Sequence, residues 1–374
     1  MNRLKGLLLA STLIASSSVS ASAEVKVVAS IKPIHSLVAA VMEGVGEPGL
    51  IIEGAGSPHT YALKPSQAQM LEQANVVFWI GHELEAFLEK PLETVGADAK
   101  SIELIDAHDL LKLGFREGGA FEKHDHADEA GHDDHAHEAE ATHDHDHEKT
   151  ADAAHDHDHD KTAEAAHDHD HDNTAEAAHD HDHDHDHEKT AEAGHEGHDH
   201  GAFDAHVWLD PVNAKAMVHE IEEALVEADP ANAAKYEANA EAVTAKLDTL
   251  IADVSSELEP VKGKGFIVFH DGYQYFENRF GVTASGSITV SPEVMPGAER
   301  ITEIRARVQE LGAACVFAEP QFEPKLVSTV TEGTNAKSGT LDPLGAELED
   351  GADLYFQLIR NMSTSIKTCL TEAS

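Results

Sequence analysis

Apolar runs of strand length alternate with amphipathic segments of helix length along most of this chain. In the first block they follow one another at residues 24–31, 34–42, 50–52, 66–74, 76–80, 84–94 and 101–105. The alternation resumes at residues 265–269, 274–279, 282–290, 298–311, 315–318, 324–333 and 355–370. Neighbouring parallel strands need a crossover segment between them. This order therefore predicts an α/β fold of two similar lobes, each with a mainly parallel sheet flanked by helices.

A long helical segment separates the two blocks. The pattern is helical from residue 211 to about 258 and is interrupted at Asp229-Pro230, and residues 231–258 contain no Gly or Pro. Apolar residues recur there at helical spacing, at Tyr236, Ala240, Val243, Leu247, Leu250 and Ile251. A helix of this length spans about 40 Å. We predict that it is a rigid connector between the lobes and that ligand binds in the cleft between them.

The first residues have the pattern of a secretory signal peptide. Arg3 and Lys5 precede an apolar stretch at residues 7–14, and small residues follow up to Ala21-Ser-Ala23. This arrangement predicts cleavage after Ala23 and export to a bacterial periplasm. No later segment has the roughly 18 uninterrupted apolar residues of a transmembrane helix, so we expect a protein that does not itself span the membrane.

These patterns divide the chain into six segments. We predict a signal peptide (1–23), an N-terminal α/β lobe (24–117), a His/Asp-rich tract (118–202), the end of the N-terminal lobe (203–229), a linking helix (230–259) and a C-terminal α/β lobe (260–374).

The segment 118–202, which we call the His/Asp tract, has a composition unlike the rest of the chain. It holds 22 of the 29 histidines, many of them alternating with Asp, and residues 155–166 are repeated almost unchanged at 167–178. With almost no large apolar residues it cannot form a packed core, so we expect disorder without metal. Imidazole and carboxylate at alternate positions suit zinc first, then copper and nickel. The candidate low-affinity ligands are His143, His145, His147, His155, His157, His159, His167, His169, His171, His179, His181, His183, His185 and His187.

The chain is strongly acidic, with a formal net charge of −44. The excess of Asp and Glu is found both inside the His/Asp tract and outside it. Such a surface repels nucleic acid and anionic lipid and attracts cations. The charge therefore argues against a nucleic-acid partner.

Two cysteines, Cys315 and Cys369, are the only ones in the chain. In an oxidising compartment an isolated pair of this kind predicts a disulfide bond. The alternative is a pair of metal ligands, although neither cysteine has another Cys or a His close to it in sequence.

Four groups that can bind metal stand out by their position in the sequence. His59 lies beyond the strand at 50–52, His270 directly follows the strand at 265–269, and Asp342 follows a short extended segment. His206 lies just after the His/Asp tract. Side chains beyond the carboxyl ends of parallel strands face the crevice in which such folds bind ligands. Three imidazoles suit zinc better than manganese, which prefers oxygen donors.

Several motifs resemble those of one family, the zinc-binding periplasmic solute-binding proteins of bacterial high-affinity zinc ABC importers (ZnuA-type). The resemblance covers essentially the whole chain after the signal peptide. It rests on Ser57-Pro-His-Thr-Tyr-Ala-Leu-Lys-Pro-Ser66, His206-Val-Trp-Leu-Asp-Pro211, Phe269-His-Asp-Gly-Tyr273, Ser291-Pro-Glu-Val-Met-Pro-Gly-Ala298, Phe317-Ala-Glu-Pro-Gln-Phe322 and Gly339-Thr-Leu-Asp-Pro-Leu-Gly345.

The resemblance implies that His59, His206 and His270 are the zinc ligands. Asp342 is expected beside the metal, as a fourth ligand or as a neighbour of a bound water. Some relatives have an acidic residue before the first histidine, where this chain has Pro58. The implied function is high-affinity capture of Zn²⁺, the transported ligand, and delivery to an inner-membrane ABC permease by a monomeric protein. We also expect Glu319 and Asp271 to orient ligand imidazoles, and His35 to lie on the surface.

Three alternatives remain at this stage. A zinc held by three histidines with an open fourth position is also the arrangement of hydrolytic zinc enzymes. The chain has no His-Glu-x-x-His arrangement and no nucleophile elbow, so we predict that it is not an enzyme. A periplasmic zinc buffer or storage protein and a zinc-dependent adhesin are the other two.

Overall fold

A computed structural model describes residues 25–116, 121, 203–289, 296–310, 312, 315–323 and 325–372. The predicted signal peptide lies outside these residues, as does the His/Asp tract apart from Phe121. The first five residues of the motif at 291–298 also lie outside them.

The first half of the chain forms a four-stranded parallel sheet with the order β2-β1-β3-β4. Its strands are β1 (Val27–Ala29), β2 (Gly49–Leu50), β3 (Val76–Trp79) and β4 (Lys100–Glu103). Every residue of β1 and β3 is buried. Continuous apolar runs are what a parallel sheet covered on both faces requires.

Five helices accompany this sheet. They are α1 (Lys32–Val41), α2 (Pro65–Glu72), α3 (His82–Thr94), α4 (Pro211–Ala228) and α5 (Ala233–Leu258). A proline lies in the first turn of α1, α2 and α4, where its missing N–H costs no helical hydrogen bond. Asp210 caps α4 by accepting a hydrogen bond from the N–H of Val212 at 2.8 Å.

The second half repeats the arrangement. Its parallel sheet has the order β6-β5-β7-β8, made of β5 (Phe266–His270), β6 (Ala284–Thr289), β7 (Cys315–Ala318) and β8 (Lys337–Thr340). The helices are α6 (Gln274–Phe280), α7 (Ala298–Glu310), α8 (Lys325–Thr331) and α9 (Leu354–Glu372). Each half places its first strand between its second and third, so the prediction of two similar lobes with parallel sheets is confirmed.

Helix α5 packs against α1 and α4 from the first half and against α9 from the second. The predicted break before it is a short 3-10 turn at Pro230–Asn232. Its buried stripe follows the predicted spacing as far as Leu250, but Ile251 is only half-buried and the stripe continues through Val254 and Leu258. The largest apolar cluster contains Val77 of β3, Leu250 of α5 and Phe266 of β5, so residues of both sheets and of α5 share one core.

The disulfide prediction is confirmed, because Cys315 of β7 is bonded to Cys369 of α9. Within the described ranges, no helix combines the length and the apolar content that a bilayer crossing requires.

Candidate metal centre

Three histidines from distant parts of the chain meet at the carboxyl ends of the two sheets. His270 is the last residue of β5, and His206 immediately precedes a 3-10 turn that leads into α4. His59 lies on the loop between β2 and α2. Among the described residues, these three form the one group of His, Cys, Asp or Glu side chains whose ligand atoms lie within 4.8 Å of one another.

The distances between the histidine nitrogens suit one tetrahedral ion. The Nε2 atom of His206 lies 3.3 Å from Nε2 of His59 and 3.1 Å from Nε2 of His270. Zinc binds imidazole nitrogen at about 2.0–2.1 Å, which at a tetrahedral angle separates two nitrogens by about 3.3 Å. The three rings are therefore already arranged for a shared metal ion.

Two buried carboxylates hold two of these rings from behind. Nδ1 of His206 donates to Oδ1 of Asp204 at 2.7 Å, and Nδ1 of His270 donates to Oε1 of Glu319 at 2.6 Å. A carboxylate at Nδ1 keeps the proton on that nitrogen and leaves the Nε2 lone pair for metal. Glu319 was predicted to orient an imidazole, and the structure places it on His270.

The loop that carries His59 is tied to the first sheet through one glutamine. Nε2 of Gln67, in the first turn of α2, donates to the carbonyl oxygen of Ile51 at 2.5 Å and to the hydroxyl of Tyr61 at 2.8 Å. These bonds join the start of the loop, its middle and the helix that follows it. They limit the positions that His59, which is half-buried, can reach.

Burial and charge act differently on the two outer histidines. Burial lowers the pKa of His59 well below its ordinary value of 6.5, and the nearby imidazoles of His206 and His270 lower it further. Burial also lowers the pKa of His270, but the nearby carboxylates, Glu319 first and then Asp204 and Asp271, together outweigh this effect and raise the pKa above its ordinary value. The pKa of Asp204 is lowered, because its interactions with His206 outweigh burial, so this carboxyl stays ionised.

The cavity at the histidines is small and mostly apolar. Its volume is about 10 Å³, which is room for a single ion or water molecule. Trp208, Phe322, Pro343 and Leu344 line it beside the histidines, together with Glu319 and Gln321. Such a cavity fits an ion and is too small for an organic ligand.

Asp342 is not brought into the group of three histidines. Its Oδ1 accepts hydrogen bonds from the N–H groups of Leu344 and Gly345 and from Nε2 of Gln321, at 2.9–3.1 Å. Its Oδ2 accepts from the N–H of Ala346 at 2.6 Å. The carboxylate thus caps the turn after β8 by accepting four hydrogen bonds, three of them from backbone N–H groups.

Two interpretations of single residues need correction. The Asp271 carboxylate bonds the guanidinium of Arg116, which also donates to Glu277 at 2.7 Å, so Asp271 acts on His270 through its charge and not by orienting the ring. His35 is buried, and its Nε2 atom hydrogen-bonds the carbonyl oxygen of Pro48.

Asp204 and Arg116 are site residues that the sequence analysis missed. Asp204 stands two residues before His206, but the same spacing recurs throughout the adjacent His/Asp tract, so it carried no distinct signal. Arg116 precedes the tract, and its partners lie more than 150 residues further along the chain.

The profile of the family described as "Zinc-uptake complex component A periplasmic" matches residues 27–369. The chain belongs to this family. Among its relatives, the high-affinity zinc uptake system protein ZnuA of Brucella suis biovar 1 (strain 1330) is 51% identical over 374 residues, the whole of both chains. The protein of the same name from Yersinia pestis is 35% identical over 367 residues, 98% of each chain.

Solved structures of this zinc-uptake family and of other metal-binding proteins share the fold. A crystal structure of ZnuA matches with a TM-score of 0.64 at 20% identity, covering 93% of this chain and 99% of that one. The solute-binding protein FpvC from Pseudomonas aeruginosa, in complex with Mn²⁺, matches with a TM-score of 0.65 at 16% identity, covering 94% and 100%. At these identities the likeness supports the two-lobed fold alone.

Proposed function

We propose that this protein captures Zn²⁺ in the periplasm with high affinity and delivers it to an inner-membrane ABC permease. The observation that carries the proposal is the convergence of the Nε2 atoms of His59, His206 and His270 at tetrahedral spacing. The name of the 51% identical relative, a high-affinity zinc uptake system protein, agrees with this chemistry. Capture and handover require no catalytic group, so we do not assign an enzymatic activity.

The donor set favours zinc over manganese. All three converging ligand atoms are imidazole nitrogens, and the neighbouring carboxylates of Asp204 and Glu319 contact Nδ1 atoms instead of the site of the ion. Manganese prefers oxygen ligands, whereas imidazole suits zinc. The apolar wall formed by Trp208, Phe322 and Leu344 offers no further donor.

We propose water as the fourth ligand, with Asp342 acting on it through Gln321. Gln321 lines the cavity and donates its Nε2 hydrogen to Asp342. Its buried Oε1 atom has no hydrogen-bond partner among the described residues. An acceptor beside the ion can bind a proton of a zinc-bound water, which would satisfy both groups.

The remaining assignments belong to the same proposal. Residues 1–23 act as a cleaved signal peptide, and the mature protein works as a monomer. The His/Asp tract collects zinc through many weak sites and holds it at high effective concentration near the histidine centre. Its candidate ligands are the fourteen histidines from His143 to His187 named above.

A calorimetric zinc titration of the metal-free full-length chain tests the proposal. We expect one tight site and a weak multisite phase, and the triple variant His59→Ala, His206→Ala, His270→Ala should keep only the weak phase. His219→Ala, which removes an exposed histidine from α4, is the control for loss of any histidine. A tight phase that survives in the triple variant would assign principal binding to the tract and contradict the proposed site.

A growth experiment distinguishes delivery of zinc to a permease from storage of zinc in the periplasm. In a strain that lacks its own copy, the unsubstituted gene should restore growth in zinc-depleted medium, whereas the triple variant should not. A storage protein would bind zinc but restore growth no better than the triple variant.

A further inference from the structure

The backbone of the turn after β5 approaches the histidine centre at one residue, Gly272. The N–H of Gly272 donates to the carbonyl oxygen of His270 at 3.0 Å, so the chain folds back beside the His270 ring directly after the strand ends. A Cβ atom at Gly272 would lie 2.5 Å from Nε2 of His270, 2.9 Å from Nε2 of His206 and 3.0 Å from Cδ2 of His206. Two of these three atoms are proposed zinc ligands.

Backbone conformation does not explain a glycine at this position. The φ angle of Gly272 lies outside the left-handed region in which glycine is favoured over other residues. An alanine at this position would not have to enter the left-handed region. A side chain at this position would lack space, because Nε2 of His270 and Nε2 of His206 lie next to it.

The two rings cannot easily give way to a methyl group. His206 is held through Nδ1 by Asp204, and His270 is held through Nδ1 by Glu319, in both cases by short hydrogen bonds within the buried interior. Rotating either ring away from residue 272 would lengthen its bond to the carboxylate. A buried carboxylate without its partner is costly.

We infer that Gly272 is a binding determinant of the metal centre, because its bare Cα leaves the two Nε2 atoms at the spacing that one zinc ion requires. This inference rests on the proposed function. A methyl group at this position separates or tilts the nitrogens, so the three imidazoles no longer share one ion. The displaced rings also lengthen their bonds to Asp204 and Glu319 in the metal-free state, so we expect the metal-free variant to fold with a somewhat lower Tm.

The test compares Gly272→Ala with Gly297→Ala in the full-length chain. Among the described residues, no heavy atom lies within 4 Å of a Cβ built at Gly297, which makes this variant the matched control. Zinc affinity is measured by competition with a chromophoric chelator, and Tm is measured with and without zinc. For Gly272→Ala we expect zinc to bind about 100-fold more weakly or worse, since misplacing buried ligands costs at least as much as losing a residue that orients one. The metal-free variant should still unfold cooperatively, with a Tm lowered by the strained contacts of the two rings.

Each outcome decides the inference. Tight zinc binding by Gly272→Ala would overturn it, and so would a Gly272→Ala chain that fails to fold without metal, because the clash would then be with the fold itself. If the affinity falls while the metal-free variant still folds cooperatively, and Gly297→Ala matches the unsubstituted protein, the inference holds. The unsubstituted protein and His59→Ala are titrated alongside. If these two do not differ in tight binding, the proposed function fails; if they differ and Gly272→Ala binds like the unsubstituted protein, only the role of Gly272 fails.

Discussion

At the scale of single residues, the metal centre depends on carboxylates that do not touch the ion. Asp204 and Glu319 are both almost fully buried. Each accepts a hydrogen bond from an Nδ1 atom, Asp204 from His206 and Glu319 from His270. This contact fixes the tautomer and leaves the Nε2 lone pair for the metal. At His270 the pKa is raised above its ordinary value, so protons compete with zinc for this nitrogen as the pH falls.

Replacing Glu319 with Gln should weaken zinc binding in a way that depends on pH. At pH 8 we expect about 10- to 100-fold lower affinity for zinc. The neutral amide holds the His270 ring less firmly than the carboxylate and polarises it less. The pKa of His270 is raised above 6.5 by the nearby carboxylates, Glu319 first, so binding by the unsubstituted protein weakens as the pH falls through that raised value. Without the carboxylate, burial keeps His270 neutral to lower pH, and the difference between the two proteins should shrink on acidification.

Competition titrations between pH 5.5 and pH 8 measure this effect, over a window of about one pH unit on either side of the ordinary histidine pKa. Glu332→Gln removes an exposed carboxylate from the end of α8 and serves as the control. A ratio of affinities that stays constant across the window would contradict the role assigned to Glu319.

The sequence allowed some of these residues to be predicted and concealed others. His59, His206 and His270 stood out because each lies in a family motif and two of them follow strands. Glu319 stood out for the same reason. Asp204 did not, since its Asp-x-His spacing continues the pattern of the neighbouring tract. Gly272 lay inside a recognised motif. Its proposed role depends on the 2.9 Å between a Cβ built at this position and Nε2 of His206, which is 66 positions away in the chain. No sequence pattern shows such a distance.

At the scale of elements, buried apolar runs marked the strands but not their lengths. Residues 315–318 were predicted as a strand and form β7 with the same bounds. Residues 24–31 were also predicted as one strand, whereas only Val27–Ala29 is assigned to β1. Its neighbour β2 has two residues, so few pairing positions exist on that side. An apolar run in the sequence indicates which residues are buried. The length of a strand depends instead on how many residues of the neighbouring strands are available to pair with it.

The disulfide is the covalent link between two of these elements. It joins the buried strand β7 to α9 and closes a loop with a sequence separation of 54 residues. On the chain-entropy model, a loop of this size stabilises the folded state by about 4 kcal/mol.

The double variant Cys315→Ala, Cys369→Ala should therefore unfold with a free energy lower by up to about 4 kcal/mol. Urea denaturation of the metal-free protein measures the change. The unsubstituted protein treated with reductant is the control, because it loses the bond and keeps both side chains. Reduction should lower its stability by a similar amount and leave the variant unchanged. A reduced protein as stable as the oxidised one would show that the link contributes little.

At the scale of the whole molecule, the two halves are joined by buried polar contacts as well as by the shared apolar core. Arg116, from the first half, bonds Asp271 and Glu277 of the second. Asp210, at the start of α4, pairs with Arg279 of α6 at 2.6 Å. The sequence predicted two lobes and a connecting helix but not these links, since each joins residues that only the folded chain brings together.

Arg116→Met should destabilise the metal-free protein by about 3 kcal/mol, because it leaves two nearly buried carboxylates side by side without their cation. Urea unfolding gives the change. The control is Arg360→Met, which removes an exposed partner of Asp253 and should cost less than about 1 kcal/mol. If both variants lose the same small amount, the link between the halves is not a stabilising one.

The base of the His/Asp tract is closed by the backbone on either side of it. Gly114 and Phe203 form an antiparallel bridge, and the N–H of Asp204 donates to the carbonyl oxygen of Leu113 at 2.9 Å. The chain therefore returns to the site where it left, and a short Gly/Ser linker in place of residues 118–202 should not disturb His206. We expect this deletion to keep one tight zinc site of unchanged affinity and to lose the weak multisite phase in calorimetry.

The rate at which zinc occupies the tight site shows what the tract contributes. If its histidines collect zinc, the deletion should load the tight site more slowly when zinc is scarce and grow less well in zinc-poor medium, with equilibrium affinity unchanged. A second variant keeps the length of the tract but replaces the fourteen histidines from His143 to His187 by Asn, which separates ligand chemistry from chain length. Slow loading in both variants would assign collection to the imidazoles. Normal loading in the Asn variant would assign the effect to the length or acidity of the segment, and normal growth of both would contradict collection altogether.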